Sequence, residues 1–169
     1  MIRDVEGDIL LTRAQVIAHG IAPHDHFDSG LALALRERWP SLVRDYRHAV
    51  HSKAANPGDI WAWAGVDEDG GTRRIVNLLT QNMRGDGPAA KPDKASLENV
   101  GHTLKALAQY VQKEGIKSLA LPRLATGVGG LDWADVKPLV HQYLGDLSAT
   151  VLVYEVYHSG VQADEQLPS

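Results

Sequence analysis

The stretch LALPRLATGVGGLDW, residues 119–133, decides the fold of this chain. Its apolar beginning is typical of a buried strand, and a loop with three glycines leads from the strand to Asp132. Asp132 can cap a helix, with a second acid, Asp135, three positions later as in a capping box. A strand, a glycine loop and a helix N-terminus together present free backbone N–H groups, which suit a phosphate. The alternative is an ordinary connection whose glycines supply tight turns.

The composition indicates one soluble domain. The chain has 169 residues, 44% hydrophobic and 22% charged, which are ordinary values for a globular protein. No apolar run approaches the roughly 18 residues of a membrane span, and the first residues lack the apolar core of a signal peptide, so we expect a cytoplasmic protein without membrane contact. The absence of cysteine excludes disulfides and thiolate chemistry. A formal net charge of −4 argues against general nucleic-acid binding.

Alternating and apolar segments predict the strands of the sheet. The predicted strands cover residues 2–5, 15–21, 59–66, 73–80, 117–122 and 148–157. A polar turn with two glycines, residues 67–72, joins the third strand to the fourth and predicts a hairpin.

Helical spacing predicts helices between the other strands. They cover residues 29–38, a short segment from Ser41, residues 94–114, and a segment after Asp132 that Pro138 should bend. The resulting order β-α-β-α-α-β-β-α-β-α-β predicts an α/β fold, a three-layer α/β/α sandwich with a central mixed, mostly parallel sheet. We expect one domain over residues 1–158 and a frayed C-terminal tail over residues 159–169.

Ligands of such sheets bind at the carboxyl ends of the strands, where three segments should meet. The first segment, residues 5–10, closes the first strand and contains Asp8, which by itself is explained as the cap of a short turn. The second, residues 19–32, runs from a strand end to a helix start and is another potential anion site. The third is the glycine loop.

Five short motifs, taken together, resemble those of a macrodomain. They are GDIL at 7–10, AHGI at 18–21, SGLAL at 29–33, LPRLATGVGG at 121–130 and LDW at 131–133. The likeness covers nearly the whole chain in the expected order. It is closest to the branch with terminal ADP-ribose protein glycohydrolase, the yeast ADP-ribose-1″-phosphate phosphatase and the antitoxin macrodomain that reverses DNA ADP-ribosylation.

The resemblance implies ADP-ribose as the ligand and ADP-ribosylated proteins as partners. It implies that Asp8, beside the Ile9 backbone, accepts a hydrogen bond from the adenine amino group. The distal ribose and the diphosphate would lie along a cleft between two loops of free amides. The binding residues that it implies are Asp8, Ile9, His19, Gly20, Ile21, Ser29, Gly30, Leu31, Thr80, Leu124, Ala125, Thr126, Gly127, Val128, Gly129 and Gly130.

The chain departs from the glycohydrolases at the catalytic positions. Those relatives carry a Lys directly after the strand-end Thr and an Asp in the glycine loop, where this chain has Gln81 and Gly129. Neither residue can supply an amine or a general base. The candidates that remain are Gln81, Asp28 and His19, as water-orienting group, acid or base. Each also has a structural explanation: Gln81 as a strand end, Asp28 as a helix cap and His19 as a buried strand residue.

Two other features suggest chemistry. The run HDHFD, residues 24–28, alternates histidine with acids, as in some zinc sites, yet such clusters are common in surface loops, and we predict no metal and no cofactor. Arg84 lies in the polar segment 82–90, which is long enough to cover a site, and it could meet a substrate carboxylate or phosphate. An exposed arginine in a loop is the alternative.

Three functions fit these residues. The first is hydrolysis of the ester that joins ADP-ribose to acidic side chains, a bond with an activated anomeric carbon and a fair leaving group. The second is a reader that binds ADP-ribose without cleavage, and the third is an ADP-ribose-1″-phosphate phosphatase. The missing Lys and Asp favour the reader. The short chain favours the enzyme, because readers are usually appended to effector domains, and we expect a monomeric hydrolase.

Overall fold

The computed structural model describes residues 1–52, 55–67 and 70–168. Two residues of the predicted hairpin turn, 68 and 69, and the last residue of the predicted tail lie outside this part. The strands within it are β1 (Ile2–Gly7), β2 (Val16–Ile21), β3 (Ile60–Val66), β4 (Thr72–Leu79), β5 (Gln81–Arg84), β6 (Lys91–Ala95), β7 (Ser118–Pro122) and β8 (Thr150–Tyr157). The α-helices are α1 (Gly30–Arg38), α2 (Pro40–Ser52), α3 (Leu97–Lys113) and α4 (Trp133–Leu144).

Six of these strands form one mixed sheet in the order β1-β8-β7-β2-β4-β3. All neighbouring pairs are parallel except β3 and β4, which form the predicted antiparallel pair. The carboxyl ends of β7, β2 and β4 therefore lie side by side at one edge of the sheet. The α/β sandwich predicted from the sequence is confirmed.

The two faces of the sheet are covered by different helix pairs. Successive strand residues point to opposite faces, so Val16 and Val76 pack with α3 and α4, whereas Ile17 and Ile75 pack with α1 and α2. All four of these side chains are fully buried. The central strands are apolar on both faces for this reason, as expected of a parallel sheet between two layers of helices.

Some predicted boundaries were wrong. Between β1 and β2 the chain forms only a 3-10 turn, Ile9–Leu11, instead of a helix. The segment after β4 is not a plain loop, because β5 and β6 pair as a small separate hairpin that also takes the first residues assigned to the long helix. Helix α3 consequently begins at Leu97, where the Ser96 side chain caps it by accepting a hydrogen bond from Asn99 N at 3.1 Å.

Pro138 lies inside helix α4 and does not divide it into two segments. Helix α4 runs without interruption through it from Trp133 to Leu144. A proline removes one backbone N–H from the helix. The burial of Val136, Val140 and Leu144 on one side holds the two halves of α4 against the same core.

The described part of the predicted tail is held by contacts with the rest of the domain. Residues 159–168 fold back over the sheet, and the Glu165 carboxylate accepts hydrogen bonds from Arg13 N at 2.8 Å and from the Tyr154 hydroxyl at 2.7 Å. Only 5% of Glu165 is exposed. The contact between Glu165 and Arg13 joins positions 152 residues apart, which a local pattern cannot predict. Within the described ranges, no helix has the length and apolarity that crossing a membrane requires.

Candidate functional site

The central cleft lies at the carboxyl ends of β2, β4 and β7. It has a volume of about 450 Å³, within the range of small-molecule sites. Its walls are the loop from β2 to α1, the loop from β7 to α4, and the first residues of the β5–β6 hairpin. The site predicted for the strand ends is therefore a real cavity.

The loop from β2 to α1 is held by its own side chains. The Asp25 carboxylate accepts hydrogen bonds from Ala22 N at 3.1 Å and from Phe27 N at 2.8 Å. The Tyr46 hydroxyl of α2 donates to the carbonyl oxygens of Ala22 and Pro23 at 3.1 and 2.7 Å. Phe27, fully buried, takes a φ of +54°, a conformation that costs a non-glycine residue free energy and is common at functional sites.

Helix α1 presents an uncapped N-terminus to the cleft. Its cap residue is Ser29, whose side chain makes no capping hydrogen bond, so the alternative assignment of Asp28 as the cap is wrong. Gly30 begins the helix with a φ of +58°, which favours glycine. The N–H groups of Gly30, Leu31 and Ala32 have no acceptor in the described part of the chain. They are free to bind an anion.

The glycine loop forms the opposite wall. Leu131 N donates to the carbonyl oxygen of Ala125 at 2.9 Å, and Ala125 itself has a φ of +61°. This tight turn leaves the N–H groups of Gly127, Val128 and Gly129 without an acceptor among the described residues. Two sets of unpaired amides thus border the same cleft.

Gly129 has no room for a side chain. A Cβ built at this position would lie 2.6 Å from the Ala125 carbonyl oxygen, which is backbone and cannot move aside. The Gly129 carbonyl oxygen in turn accepts a hydrogen bond from Ala95 N at 2.9 Å, so the β5–β6 hairpin supports the loop. The glycohydrolase Asp expected here by resemblance cannot be accommodated in this loop conformation.

His19 lies on the floor of the cleft and is almost fully buried. Its Nε2 is 2.7 Å from Oδ1 of Asn77 on the neighbouring strand. Burial lowers the pKa of His19 below its ordinary value of 6.5, although the hydrogen bond to Asn77 and the charge of Asp25 act in the opposite direction. The side chain is therefore a neutral imidazole at physiological pH.

Thr80 follows β4 and Gln81 begins β5, and both line the cleft. The Gln81 Nε2 donates to the Asp93 carbonyl oxygen at 2.9 Å, which fixes the amide and leaves its Oε1 as an acceptor. Thr80 is fully buried, and its Oγ1 has no hydrogen-bond partner within the described residues. A Cβ at Gly20 would lie 2.7 Å from that Oγ1, so only glycine fits against Thr80.

The cleft brings together most of the predicted site residues. Those that line it are His19, Gly20, Asp28, Ser29, Gly30, Leu31, Thr80, Gln81, Leu124, Ala125, Gly127, Val128 and Gly129. Asp8, Ile9, Ile21, Thr126 and Gly130 were also predicted but do not line it. Asp8 caps the 3-10 turn: its Oδ1 accepts from Leu10 N at 3.0 Å and its Oδ2 from Gly160 N at 2.9 Å.

Six lining residues were not among the predicted site residues, although five of them lie within the predicted segment 19–32 or the motif at 121–130. The six are Asp25, His26, Ala32, Pro92, Pro122 and Arg123. Pro92 belongs to the β5–β6 hairpin, whose turn is marked by Asp86-Gly87-Pro88 but whose short polar strands lack the apolar alternation that predicts a strand. Arg123 follows the apolar strand β7 directly and pairs at 3.3 Å with Glu155, a carboxylate that it shares with Lys137. Arg84 does not line the cleft, and its exposed guanidinium pairs with Asp93 at 3.3 Å.

The histidine–aspartate run does not assemble a cation site. Both Asp25 oxygens accept backbone hydrogen bonds within the loop, from Ala22 and Phe27. Over residues 1–52, 55–67 and 70–168, no three His, Asp or Glu side chains are grouped so that they could share a metal ion.

A three-layer sandwich with unpaired amides at the ends of its central strands defines a class of phosphate-binding α/β domains. Within that class, comparison with sequence models of protein families identifies the family of this chain. The Macro domain model matches residues 21–140, and the chain belongs to the macro domain family.

Several relatives of similar sequence are named for activities on ADP-ribose. A DNA ADP-ribosyl transferase–DNA ADP-ribosyl glycohydrolase fusion protein of Thermosipho africanus is 27% identical over 89% of this chain and 40% of its own length. The ADP-ribose glycohydrolase OARD1 of Homo sapiens is 21% identical, with 89% of this chain and 88% of that protein covered. This chain thus spans about two fifths of the length of the bacterial fusion protein.

Solved structures share the fold. The macrodomain of Thermus aquaticus DarG has a TM-score of 0.77 and 27% identity, covering 92% of this chain and 98% of that one. The Thermosipho africanus DarTG structure, in complex with ADP-ribose, has a TM-score of 0.78 and 23% identity over 95% of this chain and 42% of that one.

Proposed function

We propose that this domain binds ADP-ribose in the central cleft and hydrolyses the ester that joins it to glutamate or aspartate side chains. The observation that carries the proposal is the pair of unpaired amide sets, at α1 and in the glycine loop, facing one cavity. Of the described lining residues, Arg123 is the one Lys or Arg, and it is paired with Glu155. A diphosphate held here is stabilised by backbone N–H groups and a helix dipole.

The ligand's proposed orientation is the one that the family resemblance implies. The diphosphate lies between α1 and the glycine loop, and the distal ribose reaches the floor formed by His19, Thr80 and Gln81. The nucleobase then extends across the end of β8 towards Asp8 at the end of β1. Each Asp8 oxygen accepts one backbone hydrogen bond, so lone pairs remain for an adenine amino group.

The reaction needs a water placed at the anomeric carbon. The water oxygen attacks that carbon, the bond to the ester oxygen breaks, and the protein carboxylate leaves. Gln81 Oε1 is fixed by the Asp93 contact and orients the water, while Asp28, an exposed carboxylate at the cleft rim, accepts its proton. Neutral His19 accepts a hydrogen bond from a ribose hydroxyl through Nδ1.

The names of the relatives support hydrolysis, and they also favour a second substrate. The Thermosipho africanus protein is named a DNA ADP-ribosyl glycohydrolase, as are relatives from Thermus aquaticus and Mycobacterium tuberculosis. Removal of ADP-ribose from a nucleic acid is therefore the second candidate function. The human relative, which this chain matches over most of its length, is named an ADP-ribose glycohydrolase.

One experiment separates these functions. The full chain is incubated with a glutamate-ADP-ribosylated protein, with ADP-ribosylated DNA and with ADP-ribose-1″-phosphate, and the released ADP-ribose or phosphate is measured. Gln81→Ala is compared with Gln112→Ala, an exposed glutamine of α3. We expect the wild type and Gln112→Ala to release ADP-ribose from the protein substrate, and Gln81→Ala to lose this activity. Tight ADP-ribose binding without release from any substrate would leave a reader, and release from DNA alone would establish the second function.

A further inference from the structure

The segment after β8, residues 158–165, lies across the loop that carries Asp8, and we call it the C-terminal strap. Asp8 N donates to the Val161 carbonyl oxygen at 2.7 Å, while Gly160 N donates to Asp8 Oδ2 at 2.9 Å. The Asp8 residue is thus bound to the strap through both its backbone and its carboxylate. These two contacts orient the carboxylate that the proposed function assigns to the nucleobase.

The loop is shaped to receive the strap. Gly7 has a φ of +152°, and a Cβ at this position would lie 2.8 Å from the Val161 carbonyl oxygen and 2.9 Å from the Ala163 Cβ. His158 N donates to the Gly7 carbonyl oxygen at 3.0 Å, which continues the contact towards β8. Any side chain at position 7 would push the strap away.

Glu165 anchors the far end of the strap. Its carboxylate is buried and accepts hydrogen bonds from the Thr12 hydroxyl, from Arg13 N and from the Tyr154 hydroxyl. Burial raises the pKa of Tyr154, and the hydrogen bond to Glu165 adds to this, so the phenol remains a donor. A buried carboxylate is costly unless such donors satisfy it, and charge-assisted hydrogen bonds are strong. The turn between Asp8 and Thr12 is consequently held at both ends by the strap.

Both partners of this contact lie outside residues 21–140, the part that the family model matches. We infer that the C-terminal strap is part of the ligand site and that Glu165 is a positioning residue, which acts through the strap to aim Asp8 at the 6-amino group of the nucleobase. This inference rests on the proposed binding of ADP-ribose. It extends the functional domain past residue 158, the boundary predicted from the sequence.

The test compares two ligands that differ at the edge of the base that Asp8 contacts. Inosine diphosphate ribose has an oxygen in place of the adenine 6-amino group and a hydrogen on N1, so it keeps the diphosphate and both riboses but offers Asp8 no donor at position 6. Calorimetry on the full chain gives the ratio of the two dissociation constants. We expect the dissociation constant of the wild type to be about tenfold lower for ADP-ribose, a difference of about 1.4 kcal/mol in binding free energy.

Glu165→Ala should reduce that preference to about twofold or less, while its affinity for inosine diphosphate ribose stays within about twofold of the wild type. Glu165→Gln, which keeps an acceptor for Arg13 N, should retain part of the preference. Asp164→Asn, at an exposed neighbouring position, is the matched control and should keep all of it. If Glu165→Ala does not fold, Gly160→Ala serves instead, because its Cβ meets open space but its φ of +74° disfavours a side chain.

The possible failures are distinguishable. A wild type that binds neither ligand contradicts the proposed function itself. A wild type that binds both ligands equally, or a Glu165→Ala variant that loses affinity for both in the same proportion, overturns the positioning role and leaves the strap as a purely structural element.

Discussion

The His19 Nε2 lies 2.7 Å from the Asn77 Oδ1, and both side chains are buried at the centre of the sheet. The Asn77 Nδ2 donates to the Trp61 carbonyl oxygen at 3.1 Å, so its Oδ1 must be the acceptor for His19. The histidine therefore carries its proton on Nε2 and has a lone pair on Nδ1. Three neighbouring strands thus fix one tautomer at the floor of the cleft.

The buried histidine makes stability depend on pH. Because burial lowers the folded-state pKa of His19 below 6.5, the unfolded chain binds a proton in acid that the folded chain does not. The stability that His19 contributes is complete above about pH 6.5 and falls as the pH drops below it, by up to about 1.4 kcal/mol per pH unit. Urea unfolding measured from pH 7.5 to 5 should show that the free energy of unfolding changes less steeply with pH for His19→Gln than for the wild type. His48→Gln, at an exposed position of α2, is the control, and equal slopes for both variants would contradict the prediction.

The close contact between Gly20 and Thr80 predicts that a substitution at one position compensates for a destabilising substitution at the other. Gly20→Ala places a methyl 2.7 Å from Thr80 Oγ1 and should destabilise the fold by about 1–3 kcal/mol. Thr80→Ala removes that oxygen, so the double variant should recover most of the loss. A second double variant with Thr80→Ser keeps the oxygen and should recover little. Denaturant titration of the wild type, Gly20→Ala and the two double variants checks this, and a Gly20→Ala variant as stable as the wild type would contradict the prediction.

Gly129 provides a test of the glycine loop. Gly129→Ala puts a Cβ 2.6 Å from a backbone oxygen, so the loop must move and its free amides must shift. We expect ADP-ribose affinity to fall at least about tenfold, or about 1.4 kcal/mol. Gly127→Ala is the comparison, since its Cβ meets open space and its loss should be clearly smaller. Equal losses measured by calorimetry would show that loop shape is not the cause.

Tyr46 provides a test of the opposite wall. Tyr46→Phe leaves the carbonyl oxygens of Ala22 and Pro23 without their shared donor at a buried site, which should cost about 1–3 kcal/mol of stability. The loop to α1 should also loosen, so ADP-ribose binding should weaken. Tyr143→Phe, on a helix of the other face, is the control. Unfolding and binding that are unchanged in Tyr46→Phe would mean that the hydroxyl does not hold the loop.

The local parts of the site could be predicted from the sequence. A buried strand, three glycines and Asp132 as a cap follow each other within residues 119–133, and each depends only on near neighbours. The capping is confirmed by the hydrogen bond from Ala134 N to the Asp132 carboxylate at 3.2 Å. The three-layer architecture could also be predicted, because it depends on the order of strands and helices, and each of these was predicted from its own local pattern.

Long-range contacts could not be predicted in this way. Gln81 pairs with Ala95 at the base of the β5–β6 hairpin. The turn at Asp86-Gly87-Pro88 is visible in the sequence, but the two short polar strands beside it show no apolar alternation. The sequence shows Glu165 only as one acid in a polar tail. Its partner Thr12 is distant in sequence, and its partner Tyr154 lies on strand β8. The lack of space at Gly129 is likewise a property of the folded loop.

The central claim is that main-chain N–H groups, at the start of α1 and in the glycine loop, hold the ligand's diphosphate. Titration of the isotope-labelled chain with ADP-ribose, followed by amide NMR, tests it most directly. The account predicts saturable shifts of the amide signals of Gly30, Leu31, Gly127, Val128 and Gly129. Signals that stay in place at millimolar ADP-ribose, or shifts confined to another surface, would contradict it.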